Sequence, residues 1–323
     1  MSARRGLTLC VALVVTLLLP LAVLPAWAAQ GPGGDSTTYR SRHVPMGTRA
    51  HVSQAGSTDI AYSIDSDATD KLWSIDLNTG VATPIGPTGF SDIESLSFSE
   101  TGVLYGVDDT DDVLVTCSTE TGACTAVGPL GVGFQDSGLS FSDNGQLWMS
   151  TDEPGPPFNF YELNPNTGNA ALVGPQNREV TGLAFRGGVL YGLGGDQTDK
   201  LVIVNRGTGL ATPVGPLGAV SLMDGGIDFD SAGVLWGITN PSDTQVLPSR
   251  IFTINTATGA ATVVATVTNS GGGRLAGFES LAIWPSEEAP EEPLVPEPAT
   301  LLLLGSGLMG LSGYVTMRRR KTD

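Results

Sequence analysis

Histidine is nearly absent from this chain of 323 residues: there are two, His43 and His51, both in a polar N-terminal stretch. Serine–histidine catalysis therefore has no histidine to use in the rest of the chain. Three cysteines are too few for a zinc ribbon or an iron–sulfur cluster. Basic charge is scarce, with 16 Lys and Arg against 33 Asp and Glu and a net charge of −17. Such a chain repels nucleic acid, which is excluded as a partner. Charged residues reach only 15%, which argues against long salt-bridged helices. No phosphate loop, dinucleotide fingerprint, EF-hand or RTX spacing occurs. Glycine is abundant instead, at 43 residues, with 21 prolines and 41% apolar residues. That composition suits a folded protein of short strands joined by tight turns.

Both ends read as addresses. Arg4 and Arg5 precede an apolar stretch from Leu7 to Leu24, and Ala26-Trp27-Ala28 supplies a small-x-small cleavage site. Residues 1–28 are thus expected to be a signal peptide, handled by the secretion translocon and removed by signal peptidase. Residues 29–56 are polar with no apolar period and read as a flexible arm. At the other end, Ala299 to Met317 is an apolar run followed by Arg318-Arg319-Arg320-Lys321. As a helix it spans roughly 28 Å, one hydrocarbon core, with the basic cluster held cytoplasmic. The segment 286–298 before it is rich in proline and glutamate, an extended and self-repelling spacer.

Pro296-Glu297-Pro298, the apolar helix and the arginine cluster stand in the order of the PEP-CTERM sorting tails of Gram-negative bacteria, which residues 295–323 resemble. The resemblance implies an exosortase as partner and cleavage near Pro296 to Pro298. It also implies transient anchoring in the inner membrane, then passage to the envelope or the extracellular matrix. A plain C-terminal membrane anchor is the other reading of the same run.

Between the ends lies a repeat. Thr-Gly turns end at Gly80, Gly122, Gly168, Gly209 and Gly259, a period near 45 residues and within the range of propeller blades. Each is followed by a β-rich run that usually ends in Gly-Pro, as at Gly86-Pro87 and Gly128-Pro129. Next comes an apolar-x-Phe strand (Leu96 and Phe98, Leu139 and Phe141, Leu183 and Phe185, Ile227 and Phe229), then a strand with one aromatic. A four-strand blade follows: a carries the apolar-x-Phe, b the aromatic, c ends at Thr-Gly and d ends at Gly-Pro. Proline at the end of d suits an outer edge.

The segment from Ile60 supplies b, c and d without a, and Phe278 to Trp284 supplies an a strand and nothing more. The fold expected for residues 57–285 is therefore all-β, a five-bladed propeller closed by N- and C-terminal strands of one blade. It resembles the secreted propellers of the NHL and YVTN type. A parallel β-solenoid is the structural rival.

Tyr62, Tyr105, Trp148, Tyr191 and Trp236 are expected to pack between blades, with a sugar-stacking ring as the alternative. Cys117 and Cys124 flank one Thr-Gly turn at equal distance and are expected to form a disulfide in an oxidising compartment.

Acidic residues gather where this topology places one face. The b–c loops carry Asp65, Asp67 and Asp70, then Asp108, Asp109, Asp111 and Asp112, and the d–a segments carry Asp92, Glu94, Asp136, Glu179, Asp224 and Glu279. Of these, Asp65, Asp67, Asp108, Asp109, Asp111 and Asp112 are candidate binding residues. Oxygen-only clusters suit calcium; a solvated, solubilising face accounts for the same residues.

Two function classes follow. In the first, the propeller is a non-catalytic exported module that binds a glycan such as exopolysaccharide, an envelope protein or calcium. In the second it is a glycoside hydrolase or lyase acting on exopolysaccharide, with Glu94, Glu279 and Asp228 as carboxylates at the propeller mouth.

Overall fold

The computed structural model describes residues 57–65, 70–152, 158–194, 199–241 and 247–284. The chain divides into Met1–Val52 and Ser53–Asp323, and all described residues belong to the second unit. The signal peptide with Ala26 and Ala28, the arm, the spacer, Pro296-Glu297-Pro298, the apolar run 299–317 and Asp67 lie outside the described residues.

Every regular element among the described residues is a strand. They are β1 (Ile60–Asp65), β2 (Lys71–Ile75), β3 (Val81–Pro87), β4 (Ile93–Phe98), β5 (Leu104–Asp108), β6 (Val113–Cys117) and β7 (Cys124–Pro129). The series continues with β8 (Ser137–Phe141), β9 (Leu147–Thr151), β10 (Phe158–Leu163), β11 (Ala170–Gln176), β12 (Gly182–Arg186), β13 (Val189–Gly194) and β14 (Lys200–Val204). It ends with β15 (Ala211–Pro216), β16 (Ile227–Phe229), β17 (Leu235–Thr239), β18 (Arg250–Ile254), β19 (Ala261–Thr266), β20 (Thr268–Asn269) and β21 (Ala282–Trp284).

Four sheets take four consecutive strands each, β4–β7, β8–β11, β12–β15 and β16–β19. The fifth has the order β20-β3-β2-β1-β21, so the last strand of the repeat enters the first blade. The clasp register is antiparallel, with Ile60 opposite Trp284, Ala61 opposite Ile283 and Tyr62 opposite Ala282. The inner strands β21, β4, β8, β12 and β16 contact their neighbours round a closed ring. This is the five-bladed propeller, closed by both termini of the repeat.

Each Thr-Gly turn is built by a side chain four residues before the glycine. Asp76 Oδ1 accepts the N–H groups of Asn78 and Thr79 at 2.8 and 3.1 Å, and Asn164 Oδ1 accepts that of Asn166 at 2.9 Å. These local bonds bend the chain without help from packing. The c–d pairs carry a bulge in every blade, at Leu72/Trp73, Leu114/Val115, Phe160/Tyr161, Leu201/Val202 and Ile251/Phe252. The extra residue is β-branched and stands on the outer strand: Ile85, Val127, Val173, Val214 or Val264. A bulge raises the local twist, which a radial blade needs at its rim.

The core is divided into five slabs, one between each pair of adjacent blades. The aromatic of strand b in one blade faces strand a of the next. Tyr62 meets Phe98, Tyr105 meets Phe141 and Tyr191 meets Phe229, with ring centroids 5.4, 5.1 and 5.5 Å apart. Trp148 and Trp236 fill the same place in their slabs. The five aromatics thus pack between blades.

One blade departs from the four-strand pattern. β19 lacks Gly-Pro and ends in Ala265-Thr266, and the chain beyond it pairs with the next blade. It does so as β20, whose Thr268 N–H reaches Gly80 O at 2.9 Å, in parallel pairing with β3. The clasped blade therefore has five strands.

Candidate functional site

The inner strands start at one end of the propeller axis, and the segments leading into them bring the acids together. Three blades repeat one pairing there. The residue just after strand b donates its backbone N–H to a residue shortly before strand a: Asp109 to Asp92 (3.0 Å), Asp152 to Asp136 (3.1 Å) and Asn240 to Asp224 (2.9 Å). Repetition of a backbone contact thus sets polar side chains round the mouth.

Two glutamates complete the group, each by a break in pairing. Ile93 faces Asp108 and Ser95 faces Val107, which leaves Glu94 unpaired at a bulge in β4. In the clasp, Tyr62 faces Ala282 and Asp65 bridges Phe278, so three steps along β1 answer four on the other chain. The extra residue falls between Phe278 and Ala282, the stretch that holds Glu279. A bulge re-aims a side chain that regular pleating would send elsewhere.

The result is a cavity of about 740 Å³ lined by Asp92, Glu94, Asp109, Asp136, Glu179, Asp199 and Asp224, with Gln135, Ser221, Leu222 and Met223 and no basic residue. Two triads share Glu94, the first made of lining residues and the second adding Glu279. Carboxylate oxygens of Asp92, Glu94 and Asp109 lie within 4.8 Å of one another, and so do those of Glu94, Asp136 and Glu279.

Burial, reinforced by neighbouring carboxylates, keeps Glu94, Asp136, Asp109 and Asp70 protonated above the usual carboxylate range. Burial, then the charges of Glu279, Asp136 and Asp92, raise Glu94, which also shares a hydrogen bond with Glu279. Burial, then Asp224 and Asp152, push Asp136 up to about 9. Burial, then a hydrogen bond with Asp92, push Asp109 up to about 7. Asp70 is only 1% exposed; burial carries it to about 7 although the Ile93 N–H donates to its Oδ2 at 2.7 Å. The amide of Asn240 donates to Glu279 Oε1 at 3.2 Å. Asp70 Oδ1 and Asn240 Oδ1 are buried without a hydrogen-bond partner.

The structure separates the expected site residues into several roles. Asp109 lines the cavity. Asp108 is fully buried and organises its loop, accepting the N–H groups of Asp111 and Asp92 at 2.9 and 3.2 Å. Asp65 holds the equivalent place in its blade and accepts the Lys71 N–H at 2.8 Å. Asp111 is exposed, and Asp112 takes a left-handed backbone with φ 51° while its carbonyl accepts the Leu130 N–H. Glu94 and Glu279 come together, but Asp228 does not join them. It lines a second cavity of about 210 Å³ beside Phe98, Phe141 and Trp284, where the inner strands end, and accepts the Ile283 N–H at 2.8 Å. Asp228 thereby ties the clasp strand to β16, because its side chain points away from the mouth along the ladder. Cys117 and Cys124 are direct cross-strand partners and form a disulfide.

Asn240 and the weight of Asp92 and Asp136 were not singled out by spacing. The available signal was alignment of the repeats on the residue that follows strand b. Chemically, the mouth offers hard oxygen ligands and shared protons.

No curated protein matches the chain. Among solved structures, a chain of a nidogen/laminin complex is similar at 12% identity and a TM-score of 0.47, over 69% of this chain and 80% of that one. A structural genomics protein of unknown function from Bacteroides thetaiotaomicron is similar at 19% identity and a TM-score of 0.43, over 55% of this chain and 53% of that one. Residues 294–321 match the PEP-CTERM protein-sorting motif, so the chain is a five-bladed propeller protein bearing a sorting signal that implies export and exosortase processing.

Proposed function

We propose that this is a non-catalytic binding protein of the bacterial envelope or extracellular matrix, whose binding site is the acidic mouth of the propeller. The mouth takes a hard divalent cation, calcium, and through it a hydroxyl-rich glycan or a protein partner. The observation that carries the reading is the convergence of Glu94, Asp136 and Glu279 within 4.8 Å, beside a cavity lined by further carboxylates and, among its lining residues, by no Lys or Arg. Calcium prefers six to eight oxygen ligands, which carboxylates and water supply. The sorting motif supports the address: a tail removed by exosortase would leave the propeller outside the inner membrane.

The hydrolase reading fits less well. Glycosidases separate their two carboxyls by roughly 5 to 9.5 Å to admit a sugar or a water. Glu94 and Glu279 are hydrogen-bonded to each other, and Asp228 belongs to a different cavity.

The test is a calcium titration of the purified full-length chain in detergent, after chelation, followed by calorimetry and thermal melting. Binding heat and a higher melting temperature are expected. Heat and melting that both stay unchanged at millimolar calcium sink the cation reading. A glycan array run with and without chelator then identifies the ligand.

A further inference from the structure

We propose that the mouth holds two calcium ions bridged by Glu94, one with Asp92 and Asp109 and the other with Asp136 and Glu279. This inference rests on the cation reading above and adds its stoichiometry and ligand sets.

The argument starts from distance. Oxygens around one calcium at about 2.4 Å lie no more than about 4.8 Å apart. The three oxygens of each triad meet that limit, and the two triads meet it separately, with Glu94 in both. One ion cannot collect all five side chains, whereas two ions with a bridging carboxylate can. Bridged pairs of that kind place their metals roughly 3.5–4 Å apart.

Charge leads to the same count. Asp92, Glu94, Asp109 and Asp136 line a cavity whose lining holds no Lys or Arg, and with Glu279 beside Glu94 and Asp136 the two triads carry five negative charges when ionised. A single dication would leave most of that charge buried and unbalanced, at a cost that burial makes severe. Two dications nearly cancel it.

A third observation concerns two buried oxygens outside the triads. Asn240 is 3% exposed; its amide reaches Glu279 while its Oδ1 has no hydrogen-bond partner. Asp70 is buried against the backbone N–H of Ile93, next to Glu94, and its Oδ1 also lacks a partner. Its carboxylate feels the charges of both Asp92 in one triad and Glu279 in the other. Burying a polar oxygen without a partner is unfavourable unless something polar meets it. Cation-bound water or the cations themselves would satisfy both oxygens.

The test is calcium calorimetry on the chelated full-length chain and three variants. Wild type is expected to bind two ions per chain. Glu94→Gln should weaken both positions roughly tenfold or more, while Asp109→Asn and Glu279→Gln each weaken one position and spare the other. Melting curves in chelator check the folding of every variant, and each should melt no lower than wild type. One ion per chain, or a Glu94→Gln chain that keeps one position at wild-type affinity, overturns the bridge and leaves the cation reading standing. No binding at all overturns both.

Discussion

Glu94 and Glu279 stand far apart in the chain, yet the ring clasp makes their blades neighbours and their carboxyls share a hydrogen bond. Two carboxylates at that distance cannot both ionise without a cation, so one holds a proton. Glu279→Gln removes the repulsion while keeping the hydrogen bond. In chelator at pH 8 the variant is expected to gain about 1 kcal/mol, or roughly 2–4 °C in melting temperature. A variant that melts lower than wild type under those conditions contradicts the pair.

Burial of these carboxyls, with their crowding, sets a pH dependence. Asp70 and Asp109 rise from 3.8 to about 7 and Asp136 to about 9. A raised carboxyl binds its proton more tightly in the folded chain, so its stabilising share is complete below about pH 4. That share is lost as pH climbs through 7 and then 9. Chelated protein should therefore melt highest near pH 4 and progressively lower toward pH 9, and calcium should flatten the slope. Melting temperatures that rise with pH in chelator would refute this.

Two glycines hold adjacent blades together. A side chain on Gly122, at φ +80°, would meet the carbonyl of Gly86, and one on Gly86 would meet the carbonyl of Thr121. The approach allows Cys124 N–H to reach Thr88 O at 2.8 Å across the blade boundary. Gly122→Ala is expected to cost roughly 3 kcal/mol, combining strain with steric conflict. Gly131→Ala is the control: its φ is +77° but nothing lies within 4 Å of the added carbon, so only about 1 kcal/mol is lost. Equal costs in chemical denaturation would show that the contact does not matter.

The disulfide between Cys117 and Cys124 closes a short loop on a blade edge. The double Cys→Ala variant is expected to lose about 2 kcal/mol, and reductant should then change its melting no further. Thiol titration of the exported wild-type protein should find neither cysteine free. Two reactive thiols there would rule the bond out.

Processing gives a prediction outside the propeller. Residues 294–321 form the sorting motif. Glu297→Ala is expected to leave the arginine cluster attached and the chain in the membrane fraction, as read by mass spectrometry of the C-terminus. A normally shortened C-terminus in the variant would argue that Glu297 is not recognised.

Much of the blade was legible because its determinants are local. Asp76, Asn164 and Asn255 each bend their own turn through bonds two or three residues away. The cysteine pair was legible for the same reason, since the turn fixes which residues face each other. The missing a strand at Ile60 and the lone one at Trp284 announced the clasp, because an unpaired edge needs a partner. β20 was hidden: its partner β3 lies in the neighbouring blade, far away in the chain, and no local pattern names it.

The sequence alone determined the repeat, the ring closure and the sorting tail, all of which rest on short-range patterns and composition. Tertiary structure alone decided which acids meet. Asp65, Asp108 and Asp109 look equivalent in the chain, yet the first two cap loops and the third enters the mouth. Glu94 and Asp228 both sit on inner strands, yet a bulge aims one into the acidic cavity while regular pairing ties the other to Ile283. Those outcomes depend on one residue of register and on a clasp between distant ends, which local sequence does not encode.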